Sequence, residues 1–208
     1  MPKPTKLNPE LGDARSRLLD AARDTIRAKG FSSTSVDDLC RAAGVTKGAY
    51  FHHFKTKEAL GVAAAEHWSR TTGAFFETAP FHAPADPLDR VLAYVAFRRS
   101  IIDDDLRSFT CLAGTMAQEM FETSPAIRDA CGASILGHAA TLEADIAAAM
   151  EARGIDANWT AASLARHTQA VLQGAFVLAK AANDPELARE SVDHLDRYIR
   201  LLFGLTAG

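Results

Sequence analysis

The sequence predicts an all-α protein. An N-terminal three-helix helix-turn-helix domain precedes a C-terminal helical bundle that forms a dimer, with about nine helices in all. Three observations carry this. Apolar residues recur at helical spacings from Asp13 onward. Asp86-Pro87, Ser124-Pro125 and Asp184-Pro185 each set a capping side chain before a proline suited to the first helical position. No stretch keeps the alternation of a half-buried strand. The expected organisation is a flexible arm over 1–12, a helix-turn-helix domain over 13–57, and a second helical domain over 58–208, to which the family resemblance given below assigns ligand binding and dimerisation.

The first helix opens near Asp13, with Leu18, Leu19, Ala22, Ile26 and Phe31 as its apolar stripe and Gly30 as its stop. A short helix follows over 35–43. Ser35 is its cap, and Asp38 three residues on completes a capping box. Gly44 supplies the left-handed residue that reverses the chain. Thr46 caps a third helix over 47–53, and Thr56 a long one that Pro80 ends near 79. Two short helices joined by a glycine-bearing turn describe a helix-turn-helix. Further helices are expected over 87–103, 106–121, 125–153, 159–182 and 185–204.

With 208 residues the chain has room for one or two domains. No apolar run approaches the ~18 residues of a membrane span, and no apolar stretch follows the positive charges of Met1-Pro2-Lys3-Pro4. A cytoplasmic protein without a membrane partner or signal peptide is expected. The three cysteines are odd in number and widely spaced, which fits reduced thiols. Charge is unevenly placed. Residues 1–70 hold 12 Lys and Arg against 8 Asp and Glu, whereas 71–208 hold 11 against 18. A basic third on an acidic body suggests that this third meets a polyanion.

Lys47-Gly48-Ala49 opens the third helix with a cation and two small residues, which permits close approach to a major groove. The helix N-terminus favours phosphate. Thr34 and Ser35 at the start of the second helix, Thr46, and Lys57 at the start of the fourth are natural phosphate partners. No acidic residue lies between Arg41 and Phe54. Tyr50 and Phe54, four apart, read as core. His52 is expected exposed and His53 partly buried. Adjacent helical residues point about 100° apart, so the histidine pair is no chelate.

The run from Phe31 to Leu60, with Gly44-Val45, Lys47-Gly48, His53-Phe54 and Lys57-Glu58 at their present spacing, resembles the DNA-binding segment of the TetR family of transcriptional regulators. The likeness covers about 50 residues. It implies a homodimer on double-stranded operator DNA, with contacts from Thr34, Ser35, Thr46, Lys47, Gly48, Ala49, Phe51, His52 and Lys57. The family usually carries Leu-Tyr where this chain has Tyr50-Phe51, so Phe51 lacks the hydroxyl that contacts phosphate. It remains able to pack on sugar or a thymine methyl.

Nothing after residue 60 has catalytic spacing, and no cofactor or metal site is expected. Asp103-Asp104-Asp105 reads as a polar helix junction. His67, His138, His167 and His194 are scattered and read as structural or solvated. The last two helices carry wide apolar faces. Leu164, Val171, Leu172, Ala175 and Leu178 align on one, and Leu187, Val192, Leu195, Ile199, Leu202 and Phe203 on the other. Such a pair can pack on its twofold copy.

Trp68, Tyr94, Phe97, Cys111, Met116, Met120, Trp159, His167 and Gln173 are candidate lining for a small apolar effector, although each alone is also an ordinary core residue. Phe109 to Leu112, Ala117 to Glu119 and Gly174 to Lys180 resemble the branch that includes the N-ethylmaleimide-reductase repressor. That likeness suggests an electrophilic effector acting on Cys111 with Lys180 as the stabilising cation. An inert buried cysteine is the plainer alternative.

The function expected is a ligand- or electrophile-responsive regulator, a repressor on a palindromic operator and not an enzyme. The rival is an all-helical small-molecule carrier or enzyme in which 31–60 is only a helical hairpin.

Overall fold

The computed structural model describes residues 13–205. The arm expected over 1–12 lies outside them. Among the described residues are eleven α-helices and one 3-10 turn, and no strand. The helices are α1 Ala14–Lys29, α2 Val36–Ala43, α3 Lys47–His53, α4 Lys57–Glu77, α5 Pro87–Ser100, α6 Leu106–Phe109, α7 Leu112–Met120, α8 Pro125–Ala140, α9 Glu143–Ala152, α10 Ala161–Ala182 and α11 Glu186–Leu202. The 3-10 turn Pro80–His82 follows α4. It was not foreseen, because a proline stop looks the same whether a loop or a tight turn follows.

Short-range chemistry sets most boundaries. Asp13 caps α1 by accepting from the Ser16 amide at 2.7 Å. Ser35 and Asp38 form the expected reciprocal box at α2. Thr46 accepts from the Ala49 amide at 3.1 Å, and Thr56 from the Ala59 amide at 3.0 Å. Asp86 accepts from the amides of Leu88 and Asp89. Gly44 sits in the left-handed region at φ 61° and ψ 40°, and its amide bonds back to Cys40 and Arg41.

Two expected helices are broken. The stretch 106–121 divides at Thr110-Cys111, and 125–153 divides at Thr141-Leu142. Apolar periodicity continues across both breaks, so pattern alone joins what the chain separates. At the first break Thr110 is extended, with ψ 152°. At the second, Leu142 is buried in the bundle core.

The chain forms two compact units, 1–68 with 112–131, and 69–111 with 132–208. This corrects the boundary expected at 57/58. The first three turns of α4, all of α7 and the start of α8 belong with the helix-turn-helix. The reason lies in contacts that chain order hides. In the first unit the Ser32 amide donates to Glu119 Oε2 at 2.7 Å, and the Ser124 hydroxyl donates to Glu58. Ile127 is fully buried, and a Cβ on Gly61 would stand 2.8 Å from its Cδ1. The first unit's core includes Leu18, Leu19, Ala22, Ile26, Phe31, Leu39, Tyr50, Phe54 and Leu60, all at most 4% exposed. The second unit has its own core of α5, α9, α10 and α11, including Leu88, Val91, Leu172, Val192, Leu195 and Ile199.

Gly30 holds φ 85° and ψ 162°, a region that only glycine enters without strain. A Cβ there would also collide with the Glu119 carboxylate that receives Ser32. Gly30→Ala is expected to destabilise the protein by about 2–3 kcal/mol, combining backbone strain and a lost charge-assisted hydrogen bond. Urea unfolding followed by circular dichroism checks this.

Candidate nucleic-acid interface

The interface is built on two buried rings. Tyr50 is fully buried and Phe54 is 3% exposed, with centroids 5.9 Å apart, which seats one face of α3 on the first unit. The Tyr50 hydroxyl donates to the Thr56 carbonyl at 3.4 Å, and burial pushes its phenol up to about 12. The Arg15 guanidinium lies 5.6 Å from the Phe54 ring centre. With that face committed, the opposite face must lie outward. Lys47, Gly48, Phe51 and His52 are exposed, and Ala49 and His53 are half-buried. Phe51 is 47% exposed, a large apolar surface to leave in water on a seven-residue helix.

Charge around this helix is already organised. Lys47 pairs with Asp37 of α2 at 2.8 Å. Sequence spacing hid this carboxylate, because only the turn at Gly44 brings α2 beside the start of α3. The pair is solvent-exposed, so its contribution to stability is small. Asp38 lies well below the usual carboxylate range, chiefly through the hydrogen bond from Lys29 at 2.7 Å and then those from Ser35. Arg41 also reaches Asp38, at 3.2 Å. Arg17 Nη1 donates to the Gly44 carbonyl at 3.5 Å and so stitches α1 to the turn.

Two of the expected contacts are corrected by geometry. Thr34 is 1% exposed, and its hydroxyl donates to the Gly30 carbonyl at 2.7 Å. It closes the loop before α2 and does not offer its side chain to phosphate. Lys57 is half-buried. Its Nζ donates to the Ser32 carbonyl at 3.2 Å and sits 4.5 Å from the centre of the Phe31 ring. Desolvation lowers its pKa. Its first role is to hold the 31–35 loop, and a phosphate there would share an ammonium already engaged. Ser35 is exposed but its hydroxyl is occupied by the capping box, so the amide end of α2 is what it presents.

The nine effector candidates are divided. Trp68, Met116 and Met120 belong to the first unit, where Arg27 stacks 5.1 Å from the Trp68 ring and Met116 is fully buried. Tyr94, Phe97, Cys111, Trp159, His167 and Gln173 belong to the second. Trp159 packs on Phe203 at 5.8 Å. His167 is exposed, with its ring against Tyr198 at 5.1 Å, so it lies on an outer face and lines no interior. Cys111 and Lys180 are half-buried, and Cys40 and Cys131 are buried. Burial raises the Cys40 thiol pKa.

Sequence reasoning missed the polar centre of the second unit. The Tyr94 hydroxyl lies 2.9 Å from His138 Nε2, receives Gln169 Nε2 at 3.0 Å, and receives Arg98 Nη1 at 3.3 Å. Two incoming donors fill the phenol's lone pairs, so its proton goes to His138 Nε2. His138 is therefore neutral with its proton on Nδ1. Burial first, and then the Arg98 charge, push its imidazole down to about 4. The signal that could have found this centre is the four-residue spacing of Tyr94 and Arg98, which puts a phenol and a guanidinium on one side of α5.

Comparison with known proteins agrees with this architecture. Residues 18–64 match the family model for bacterial regulatory proteins of the tetR family. Residues 87–195, just over half the chain, match the model of a tetracyclin repressor-like C-terminal domain. The chain belongs to the TetR family. Among its TetR-family relatives is the transcriptional regulator AcuR of Cereibacter sphaeroides, 28% identical over 112 residues, which are 54% of this chain and 51% of that protein. The chain thus spans about half the length of that relative. The reduced form of NemR from Escherichia coli superposes with a TM-score of 0.70 at 25% identity, over 88% of this chain and 95% of that one. A cysteine mutant of CifR, solved with 26bp double-strand operator DNA, superposes with a TM-score of 0.74 at 20% identity, over 94% and 98%.

The neutral His138 makes a pH prediction. Its pKa in the folded protein lies below the 6.5 of a free imidazole, so the unfolded chain binds the extra proton first. The contribution is intact above pH 6.5 and is lost as pH falls towards 4. Between pH 7 and 5 the protein should lose about 2 kcal/mol more stability than its His138→Gln variant. Urea titrations at the two pH values measure the difference.

Proposed function

We propose that this TetR-family protein is a dimeric transcriptional repressor that reads a palindromic operator with two copies of α3 and releases it when a small molecule binds the second unit. One observation carries the reading. A short helix with Lys47, Gly48 and Phe51 outward is fixed from behind by the buried Tyr50 and Phe54. A helix of this kind costs apolar exposure unless something covers it, and its capped N-terminus and small residues fit a major groove. A cysteine mutant of CifR, which shares the fold, was solved in complex with operator DNA. The same exposed face is hard to account for in an enzyme or carrier whose residues 31–60 are only a hairpin.

The dimer reading rests on the outer sides of α10 and α11. Val177, Leu178, Tyr198 and Leu201 are 45%, 54%, 43% and 66% exposed. The inward stripe took Leu172, Ala175, Phe176, Val192, Leu195 and Ile199, and Leu178 fell outside it. These outward residues are what a second copy would cover. Leu178→Glu with Leu201→Glu should convert the dimer to monomers while leaving helix content unchanged, as sedimentation equilibrium and circular dichroism would report. A variant that stays dimeric removes this face from the interface.

Two copies place two α3 helices for major grooves a whole number of turns apart, ~34 Å per turn. Helix α4 contributes residues to both units. A rearrangement of the second unit therefore reaches the reading helices through a continuous helix, and an effector acts by preferring one arrangement over the other. Selection from a randomised duplex library should return a palindrome, and its binding should weaken steeply with salt through counterion release. Lys47→Ala should lower affinity about tenfold and relax sequence preference, by roughly the 1–3 kcal/mol of one specific contact. Phe51→Tyr should tighten binding a few-fold by restoring a phosphate donor. Failure to retain any duplex at low salt would favour the carrier or enzyme. Equal retention of random duplex would make the protein a nonspecific DNA binder.

A thiol route to release is favoured by one observation, that Cys111 is half-buried where Cys40 and Cys131 are buried. Iodoacetamide should label Cys111 first. Labelling no faster than at the other two would end that route.

A further inference from the structure

The second unit holds a cation that no carboxylate among the described residues neutralises. Arg90, Arg98 and Arg99 all lie on α5. Arg90 pairs with Asp145 at 2.6 Å, and Arg99 with Asp193 at 2.6 Å. Arg98 has no carboxylate partner among the described residues. Its hydrogen-bond partners there are the Tyr94 hydroxyl and His138 Nε2, both reached by the same Nη1. A guanidinium carries five donors in a planar fork. Most of that fork, Nε and Nη2 included, meets no acceptor among the described residues.

The surroundings are apolar. The guanidinium carbon lies 5.1 Å from the ring centre of Phe76, 5.7 Å from that of Phe176 and 5.9 Å from that of Tyr94. Ring faces offset part of the cost of a half-buried charge, but do not cancel it. The neighbouring His138 is neutral, so the cluster's charge is that of Arg98 alone. The arrangement is also not sealed. Tyr94 and Gln169 are buried, whereas Phe76, Phe97, Arg98 and His138 are only half-buried. The groove between α5 and α11 differs in that two of its arginines are paired within it, Arg99 with Asp193 and Arg200 with Asp196.

We propose that Arg98 is the anchor of the effector site and that the effector is a small organic carboxylate with an apolar, ring-sized body. The carboxylate takes the unused guanidinium donors, a planar match that an ammonium would not give. The body lies against Phe76 and Phe97, whose rings are 5.7 Å apart. The Gln169–Tyr94–His138 chain fixes the guanidinium from behind through Nη1. Tyr94 and Arg98 lie one turn apart on α5, while His138 and Gln169 come from α8 and α10. A bound anion therefore ties three helices of the unit, which is how occupancy would bias its arrangement. The inference rests on the effector-responsive reading above and supplies its chemistry.

The test uses the full-length protein and the duplex recovered by selection. Benzoate and 3-phenylpropionate are compared with benzamide and 3-phenylpropionamide at constant ionic strength. The carboxylates should raise the melting temperature and release the duplex at concentrations at least about tenfold lower than the amides, the ratio expected of one charge-assisted contact. Arg98→Gln should bring acid and amide within about twofold of each other while still binding the duplex, and Arg98→Lys should recover part of the preference. Should the Arg98 variants not melt cooperatively, histidine NMR on the unsubstituted protein decides. Benzoate bound beside Arg98 should raise the His138 midpoint, since it screens the charge that helps to depress it.

Carboxylates that bind no better than amides overturn the proposal, as do an Arg98→Gln protein that keeps the preference and a His138 midpoint unmoved by saturating benzoate. Each would leave the cluster as a self-contained packing element. Loss of the duplex itself would be a different result, since it would strike the regulator reading and leave the melting comparison intact.

Discussion

Burial of Tyr50 and Phe54 is the constraint on which the first unit's proposed function depends. A seven-residue helix is too short to be stable by itself, since forming its first turn fixes several residues for one hydrogen bond. It persists because two aromatic side chains on one face are taken out of water and because Thr46 satisfies an amide at its start. Fixing that face also fixes what the other presents. Lys47, Gly48, Phe51 and His52 are outward by consequence, and their geometry is as firm as the core behind them. An interface on a flexible loop would have to be ordered at each encounter, whereas this one is ordered beforehand.

The loop from Gly30 to Ser35 shows how much of the first unit serves that one helix. Gly30 turns the chain where no other residue fits easily, Thr34 donates back to it, and Glu119 receives the Ser32 amide. Lys57 then closes on the Ser32 carbonyl and the Phe31 ring. Residues that look like phosphate ligands in isolation are partly spent on holding the loop. The same hydroxyl or ammonium cannot be counted twice, which is why Thr34 and Lys57 contribute less to the outer surface than their types suggest.

In the second unit the balance of charge carries the meaning. Paired arginines on α5 hold helices together, and the one that lacks a carboxylate stands among aromatic rings beside a neutral histidine. A protein interior tolerates a charge when something answers it. Here ring faces and two dipoles answer in part, and the remainder is open to an anion.

The sequence by itself determined the first four helices, their caps and the outward set on α3. Those features are governed by residues three or four apart, and Ser35 with Asp38, Thr46 with Ala49 and Tyr50 with Phe54 are written next to each other in the chain. It did not determine the breaks at Thr110 and Leu142, because apolar spacing continues across them. Nor did it show that Asp37 meets Lys47, that α7 belongs with the first unit, or that Tyr94 meets His138 and Gln169, which lie 44 and 75 residues away. Those pairings follow from how helices stack, and helix stacking depends on the shapes of all the faces at once. His138 looked like one scattered histidine among several because a ring's surroundings are a property of the folded neighbours and not of its own place in the chain.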